Sequence, residues 1–323
     1  MMLKMLGFVL KLKLNHGVEN ERARDLFYSL WIPDIFMKRV EEDGKWSLFC
    51  PTIVPNLQDA YGENFDLIYK QAENSKLYTK QISARELWFQ ICDTQIETGT
   101  PYLCYKNAAN KKSNQQNLGT IRSSNLCAEI MEYSSPDETA VCTLASICLP
   151  KFCDNDGFNF NKLIKTTKIV TINLNKVIDK TSYPVDQASN SNTKNRPIGI
   201  GVQGLSDVFQ ILGYEYESDQ ARKLNKEIFE TIYYTALTTS KELSKRDGPY
   251  QTFKGSPASH GILQFDMWGI QPSKYDWESL KVEIKNHGLR NSLLVACMPT
   301  ASTAQINGNT ESFYDEMEIT NPR

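Results

Sequence analysis

The sequence is poor in the residues that build metal and disulfide sites. Its three histidines, at 16, 260 and 287, do not cluster. Its eight cysteines, at 50, 92, 104, 127, 142, 148, 153 and 297, include no Cys-x-x-Cys pair. That is too sparse for a secreted disulfide scaffold and has the wrong spacing for structural zinc, even at Cys148 and Cys153, so no metal is expected. Reduced thiols in a cytoplasmic setting are the expectation. No apolar run approaches the roughly 18 residues that span a bilayer. Neither sign of charge is in excess. Lys and Arg number 36 against 38 Asp and Glu, a net −2, which excludes a globally basic nucleic-acid binder but not a local basic pocket. What is present is a chain of 323 residues, 41% hydrophobic and 23% charged, able to bury a large core. At roughly 150 residues per domain, that is two domains or one α/β barrel. The apolar start Met1–Leu10 is interrupted by Lys4, followed by Lys11 and Lys13, and lacks a small-residue cleavage site. It is read as an irregular start rather than a secretion signal.

Helical periodicity runs from Glu21 to Glu42 through Ala23, Leu26, Phe27, Leu30 and Trp31, with Pro33 expected to divide it into two helices near Ile32. Further helices are expected over Tyr61–Gln71 and over Ala84–Thr98, the latter stopped by Gly99. Others are expected over Asn161–Lys180, Leu205–Leu212, Asp219–Arg246 with Ser218 as N-cap, and Tyr275–Asn286. Tyr105–Arg122 and Ser182–Arg196 read as polar loops, the first either lining a site or simply solvated. Pro197–Gly204 and Ser292–Cys297 read as buried strands. Strands alternating with helices indicate α/β architecture with parallel pairing, without internal repeats.

Three constellations could carry chemistry. In an extended chain Asn125, Cys127 and Glu129 would share one face: an amide to orient a polar substrate, a thiol, and a carboxylate to take a proton. The same letters also arise by chance. Cys142 lies in a small-residue stretch and is either a second working thiol or a buried core cysteine. Pro299-Thr-Ala-Ser-Thr-Ala-Gln305 follows the second buried strand and places proline at the first position of a hydroxyl-rich helix start. Such a start is suited to phosphate, or is an ordinary cap. Gly199, Gly201 and Gly204 match the letters of a dinucleotide fingerprint, but the intervening Ile and Val read as strand.

These words together resemble the large (α) subunit family of class I ribonucleotide reductases. The resemblance rests on Ala23-Arg-Asp-Leu-Phe27, Trp31-Ile-Pro-Asp34, Glu97-Thr-Gly-Thr-Pro-Tyr102 and Lys112-Ser-Asn-Gln-Gln-Asn-Leu-Gly-Thr120. It continues through Ser124-Asn-Leu-Cys127, Arg196 to Gly204, and Met298-Pro-Thr-Ala-Ser-Thr-Ala-Gln305, all in order between Glu21 and Glu311. It implies part of a ten-stranded α/β barrel with a central finger loop. Residues 1–20 would be an irregular start, 21–311 the partial barrel and 312–323 a divergent end. Cys127 then matches the thiyl-radical cysteine that abstracts the 3′ hydrogen of a ribonucleoside diphosphate. Glu129 matches the carboxylate that takes the 3′-hydroxyl proton, and Asn125 the amide that holds the substrate hydroxyls, beside Ser124. Cys142 matches one of two redox thiols. Thr300, Ala301, Ser302 and Thr303 match the turn that cradles the diphosphate. Implied partners are a metal-containing small subunit that supplies the radical, thioredoxin or glutaredoxin as reductant, ATP and deoxynucleotide effectors, and a second copy in a homodimer. Neither DNA nor membrane is implied.

The family's chain is more than twice this length. Its ATP-binding cone, the barrel portion with the partner of Cys142, the tyrosine pair that conducts the radical and the cysteine-bearing tail have no counterpart here. The expectation is therefore a catalytic core that is inactive alone, an open sheet edge and poor stability. The alternative is a non-catalytic relative that binds nucleotide or a subunit. A glycyl-radical barrel is disfavoured by the same words.

Overall fold

Pro33 lacks an N–H and biases the residue before it towards extended backbone. In the computed structural model, which describes residue 13 and residues 19–313, Ser29–Ile32 accordingly form strand β1. The helix expected over 21–32 is not there. Leu26 and Phe27 lie exposed outside any helix, and the first described α-helix begins only after the proline, as α1 (Asp34–Glu41). The calls for 1–12, 14–18 and 314–323 lie outside the described residues.

The chain divides into two compact units, the first ending at Glu132 and the second starting at Tyr133. In the first, β2 (Lys45–Leu48), α2 (Gly62–Asn74), β3 (Lys80–Ser83), α3 (Ala84–Thr98), β4 (Tyr102–Tyr105) and α4 (Lys106–Lys111) follow α1. β1 pairs in parallel with β4, and β2 pairs antiparallel with β3. α3 matches its sequence signals at both ends. Ser83 Oγ accepts from Glu86 N–H, and Gly99 closes the helix in the left-handed region at φ 70°. α4 corrects the loop reading over 106–111, since its buried side chains Lys106, Asn107 and Asn110 are polar and give no apolar period, while 112–122 is irregular as expected. The core of this unit stacks Trp46 on the fully buried Tyr69 with ring centroids 4.5 Å apart.

The second unit runs through β5 (Leu144–Cys148), β6 (Cys153–Asp154), β7 (Gly157–Phe158), α5 (Phe160–Lys180), α6 (Asp186–Asn195), β8 (Gly199–Gln203) and α7 (Leu205–Ile211). It continues with α8 (Asp219–Asp247), α9 (Gln264–Met267), α10 (Trp277–His287) and α11 (Ala301–Asn307). α5 packs along α8, whose first turn is capped by Ser218 Oγ. α6 overturns the loop reading of 182–196. β5 and β8 pair in parallel from Leu144–Gly199 to Cys148–Gln203. On the other side of β8 runs the segment expected as a full strand over 292–297. It makes one parallel bridge, Ile200 to Val295, with Ile200 N–H donating to Leu294 C=O at 2.9 Å.

Crowding on both sides explains the glycines of β8. A Cβ on Gly199 would sit 2.5 Å from Leu144 Cδ2, and one on Gly201 2.7 Å from the Ala296 carbonyl oxygen. These glycines are strand-packing residues, as their Ile and Val neighbours indicate, and do not form a phosphate loop. The α/β class and parallel pairing hold. The described strands form four two-stranded pairs, which is consistent with part of a barrel but not a closed one. No described helix is long and apolar enough to cross a membrane.

Candidate active site

Asparagine side chains bond readily to backbone a few residues on, which competes with extended structure. Asn125 does this. Ala128 N–H donates to Asn125 C=O at 3.2 Å and Ile130 N–H to Asn125 Oδ1 at 3.2 Å, so the chain turns instead of running straight. Ala128 takes φ 65°, a costly value for a residue with a side chain and one found disproportionately at functional sites. The one-face strand expected over 125–129 is therefore corrected to a turn, yet the turn brings the same groups together. Asn125 Nδ2 donates to Glu129 Oε2 at 2.7 Å, and Ser124 Oγ closes the loop on Ile130 C=O at 2.7 Å. Cys127 stands exposed between the amide and the carboxylate in sequence.

The segment leading into this turn is tied to α4 by a residue the sequence reading passed over. Asn110 Oδ1 accepts from Ile121 N–H at 2.7 Å, and its Nδ2 donates to Ile121 C=O at 3.1 Å and Lys106 C=O at 2.9 Å. Asn110 is 2% exposed, so these bonds are not shared with water. The signal was available, as the asparagine of Tyr105–Arg122 that sits one turn after Lys106.

Partial burial, and then the Glu129 carboxylate, push the Cys127 thiol above its ordinary 9.0. The sulfur therefore holds its proton at neutral pH, which disfavours thiolate nucleophilic chemistry and suits a group that works through its S–H bond. Residue-resolved alkylation should show Cys127 reacting slowly at pH 7 and accelerating until pH passes 9. Glu129→Gln removes a negative neighbour of the thiolate, so the inflection should move down. An inflection below 9 in the unsubstituted chain would sink this account.

Cys142 and residues 300–303 belong to the second unit. Cys142 is exposed, against the core-cysteine alternative. Thr300 is the N-cap of α11 in the left-handed region at φ 62°, so Pro299 precedes the cap and does not occupy the first helical position expected for it. Ala301, Ser302 and Thr303 are exposed while Thr300 is buried. The turn is held from outside the motif. Ser312 N–H donates to Thr300 Oγ1 at 2.9 Å, and Asp207 Oδ2 accepts from both N–H and Oγ1 of Thr310, at 2.8 and 2.6 Å. Neither Asp207 nor Ser312 was legible, because both act through contacts about a hundred or a dozen residues away.

The ribonucleotide reductase barrel-domain family matches residues 6–319 of this chain. The ribonucleoside-diphosphate reductase large subunit of Plasmodium falciparum is 58% identical over 308 residues, covering 94% of this chain and 38% of that protein. The Caenorhabditis elegans large subunit is 58% identical over 303 residues, 93% of this chain and 38% of its own. The Arabidopsis thaliana large subunit is 54% identical over 325 residues, 94% of this chain and 40% of its own. The chain thus spans about two-fifths of the length of these relatives.

Proposed function

Because this chain belongs to the ribonucleotide reductase barrel-domain family, we propose that it supplies the catalytic core of a ribonucleoside-diphosphate reductase large subunit. The observation that carries this reading is the Asn125–Glu129 turn, which pairs an amide with a carboxylate at 2.7 Å and carries the exposed Cys127 thiol between them in sequence.

The roles are those that the family resemblance implies for each group. A small subunit with its own metal centre supplies the radical, which comes to rest on Cys127 as a thiyl. Cys127 takes the 3′ hydrogen of the ribose and returns it once the 2′ position is reduced, which restores the thiyl. Glu129 receives the 3′-hydroxyl proton, and Asn125, already bonded to Glu129, holds the substrate hydroxyls with Ser124. The 2′ hydroxyl departs as water and hydrogen takes its place. The two electrons come from a pair of thiols that close to a disulfide, Cys142 being one of them, and thioredoxin or glutaredoxin reopens it. Thr300, Ala301, Ser302 and Thr303 receive the diphosphate with hydroxyls and backbone N–H groups. A homodimer, nucleotide effectors and a cytoplasmic setting complete the reading.

The test is the conversion of CDP to dCDP by the assembled enzyme, followed by chromatography, with the radical quantified by electron paramagnetic resonance. Product formation that needs both radical and reductant supports the proposal. An enzyme that carries its radical, binds CDP and makes no dCDP overturns it in favour of a non-catalytic binder.

A further inference from the structure

We propose that Glu138 is a positioning residue that mounts the Cys142 thiol, an inference that rests on the redox-thiol reading of Cys142 above. Glu138 stands four residues before Cys142 and is 7% exposed. Its carboxylate forms an ion pair with Lys194 and accepts from Asn195 Nδ2 at 2.9 Å, while Asn195 Oδ1 is itself fixed by Thr252 Oγ1 at 2.6 Å. Two adjacent residues at the end of α6 thus grip the two carboxylate oxygens separately.

The same helix holds the chain on both sides of the thiol. Before it, Asn190 Nδ2 donates to Asp137 C=O at 2.9 Å and Thr139 N–H to Gln187 C=O at 3.1 Å. After it, Asn192 Nδ2 reaches Thr143 Oγ1 at 3.3 Å, Gly199 N–H donates to Thr143 C=O at 2.9 Å, and β5 begins. Between these grips Cys142 is exposed. A buried carboxylate is costly unless it is paired and hydrogen-bonded, and loop closure alone does not require one. A thiol that must close to a disulfide does require a fixed mount, because bond formation tolerates only a narrow range of Cα separation. Glu138 touches neither substrate nor reacting sulfur, so it acts through the placement of Cys142.

The experiment uses the assembled enzyme with Glu138→Ala, Glu138→Gln and Cys142→Ser, assayed well below each variant's measured melting temperature. With Glu138→Ala, amide exchange over 139–143 should accelerate about tenfold relative to β8, and kcat should fall about tenfold with the KM for CDP within about twofold. Glu138→Gln keeps the Asn195 bond and should recover part of both effects. A purely structural role would lower the melting temperature and leave the local exchange ratio and kcat of the folded enzyme unchanged, and that result overturns the proposal. If Cys142→Ser turns over normally, the redox reading of Cys142 fails and this inference with it. If Cys142→Ser is inactive while folded Glu138→Ala is fully active, this inference alone fails.

Discussion

Cys127→Ser is expected to abolish dCDP formation, by about 10⁴-fold or more, while leaving the fold untouched. The side chain is exposed at the tip of its turn, where substitutions typically change stability by no more than about 0.5 kcal/mol. Serine nearly preserves shape and polarity, so substrate affinity should persist. What serine cannot do is form and regenerate a radical at the energy a thiol does, since its O–H bond is far stronger than S–H. Glu129→Gln should cost less, about 10²–10⁴-fold, the usual worth of a positioned proton acceptor. It also keeps an oxygen for Asn125, whose Nδ2 now bonds Glu129 Oε2 at 2.7 Å. The check is product formation and melting temperature on the same preparations. Serine activity above about 1% of the unsubstituted rate, in protein shown free of wild-type contamination, would remove Cys127 from the mechanism.

Asn291→Ala is expected to give a large loss of stability, about 3–5 kcal/mol in the second unit. Asn291 is fully buried and every hydrogen-bonding site of its amide is used. Nδ2 donates to Asn175 Oδ1 at 3.1 Å and to Arg196 C=O at 2.8 Å. Oδ1 accepts from Asn175 Nδ2 at 3.0 Å and from Ser240 Oγ at 2.9 Å. Truncation strands groups from α5, α8 and the Arg196 segment at once, each carrying a desolvation penalty of about 1–3 kcal/mol that water cannot readily relieve at a dry site. Arg196 is already at φ 46°, so loss of its carbonyl's partner also loosens a left-handed backbone. Urea unfolding of the variant should show the midpoint moving without a change in slope. A loss below about 1 kcal/mol would mean that water replaces the network. The double variant with Asn175→Ala should cost less than the sum of the single changes, since two of the four Asn291 amide bonds are to Asn175.

Elements with apolar stripes and capping residues were legible, α3 and α8 nearly to the residue. α6 was not, for a physical reason. Its buried face is Ala188, Ser191, Asn192 and Asn195, so it is anchored by hydrogen bonds rather than by hydrophobic contact and shows no periodic apolar signal. Ser29–Ile32 failed the opposite way. Leu30 and Trp31 fall at helical spacing with Leu26 and Phe27, but pairing with β4 decided the backbone. At the site, the residue types named which groups meet, while the local geometry did not follow from them. The Asn125–Glu129 contact depends on Ala128 at φ 65°, and no residue preference signals a left-handed alanine.

The bare backbone of β8 has a genetic consequence. Any change at the first two positions of a glycine codon either introduces a side chain or ends the chain. At Gly201 even the smallest side chain would place its Cβ 2.7 Å from the carbonyl oxygen of Ala296 and 2.5 Å from Met298 Sδ. Met298 is flexible and could be exchanged for a smaller residue, but the carbonyl belongs to main chain that every substitution retains. Gly201 therefore has no neutral missense neighbour. Drift can reach this position only through changes that first move the backbone at 296, so in any population carrying this gene variation should be third-position silent at codon 201.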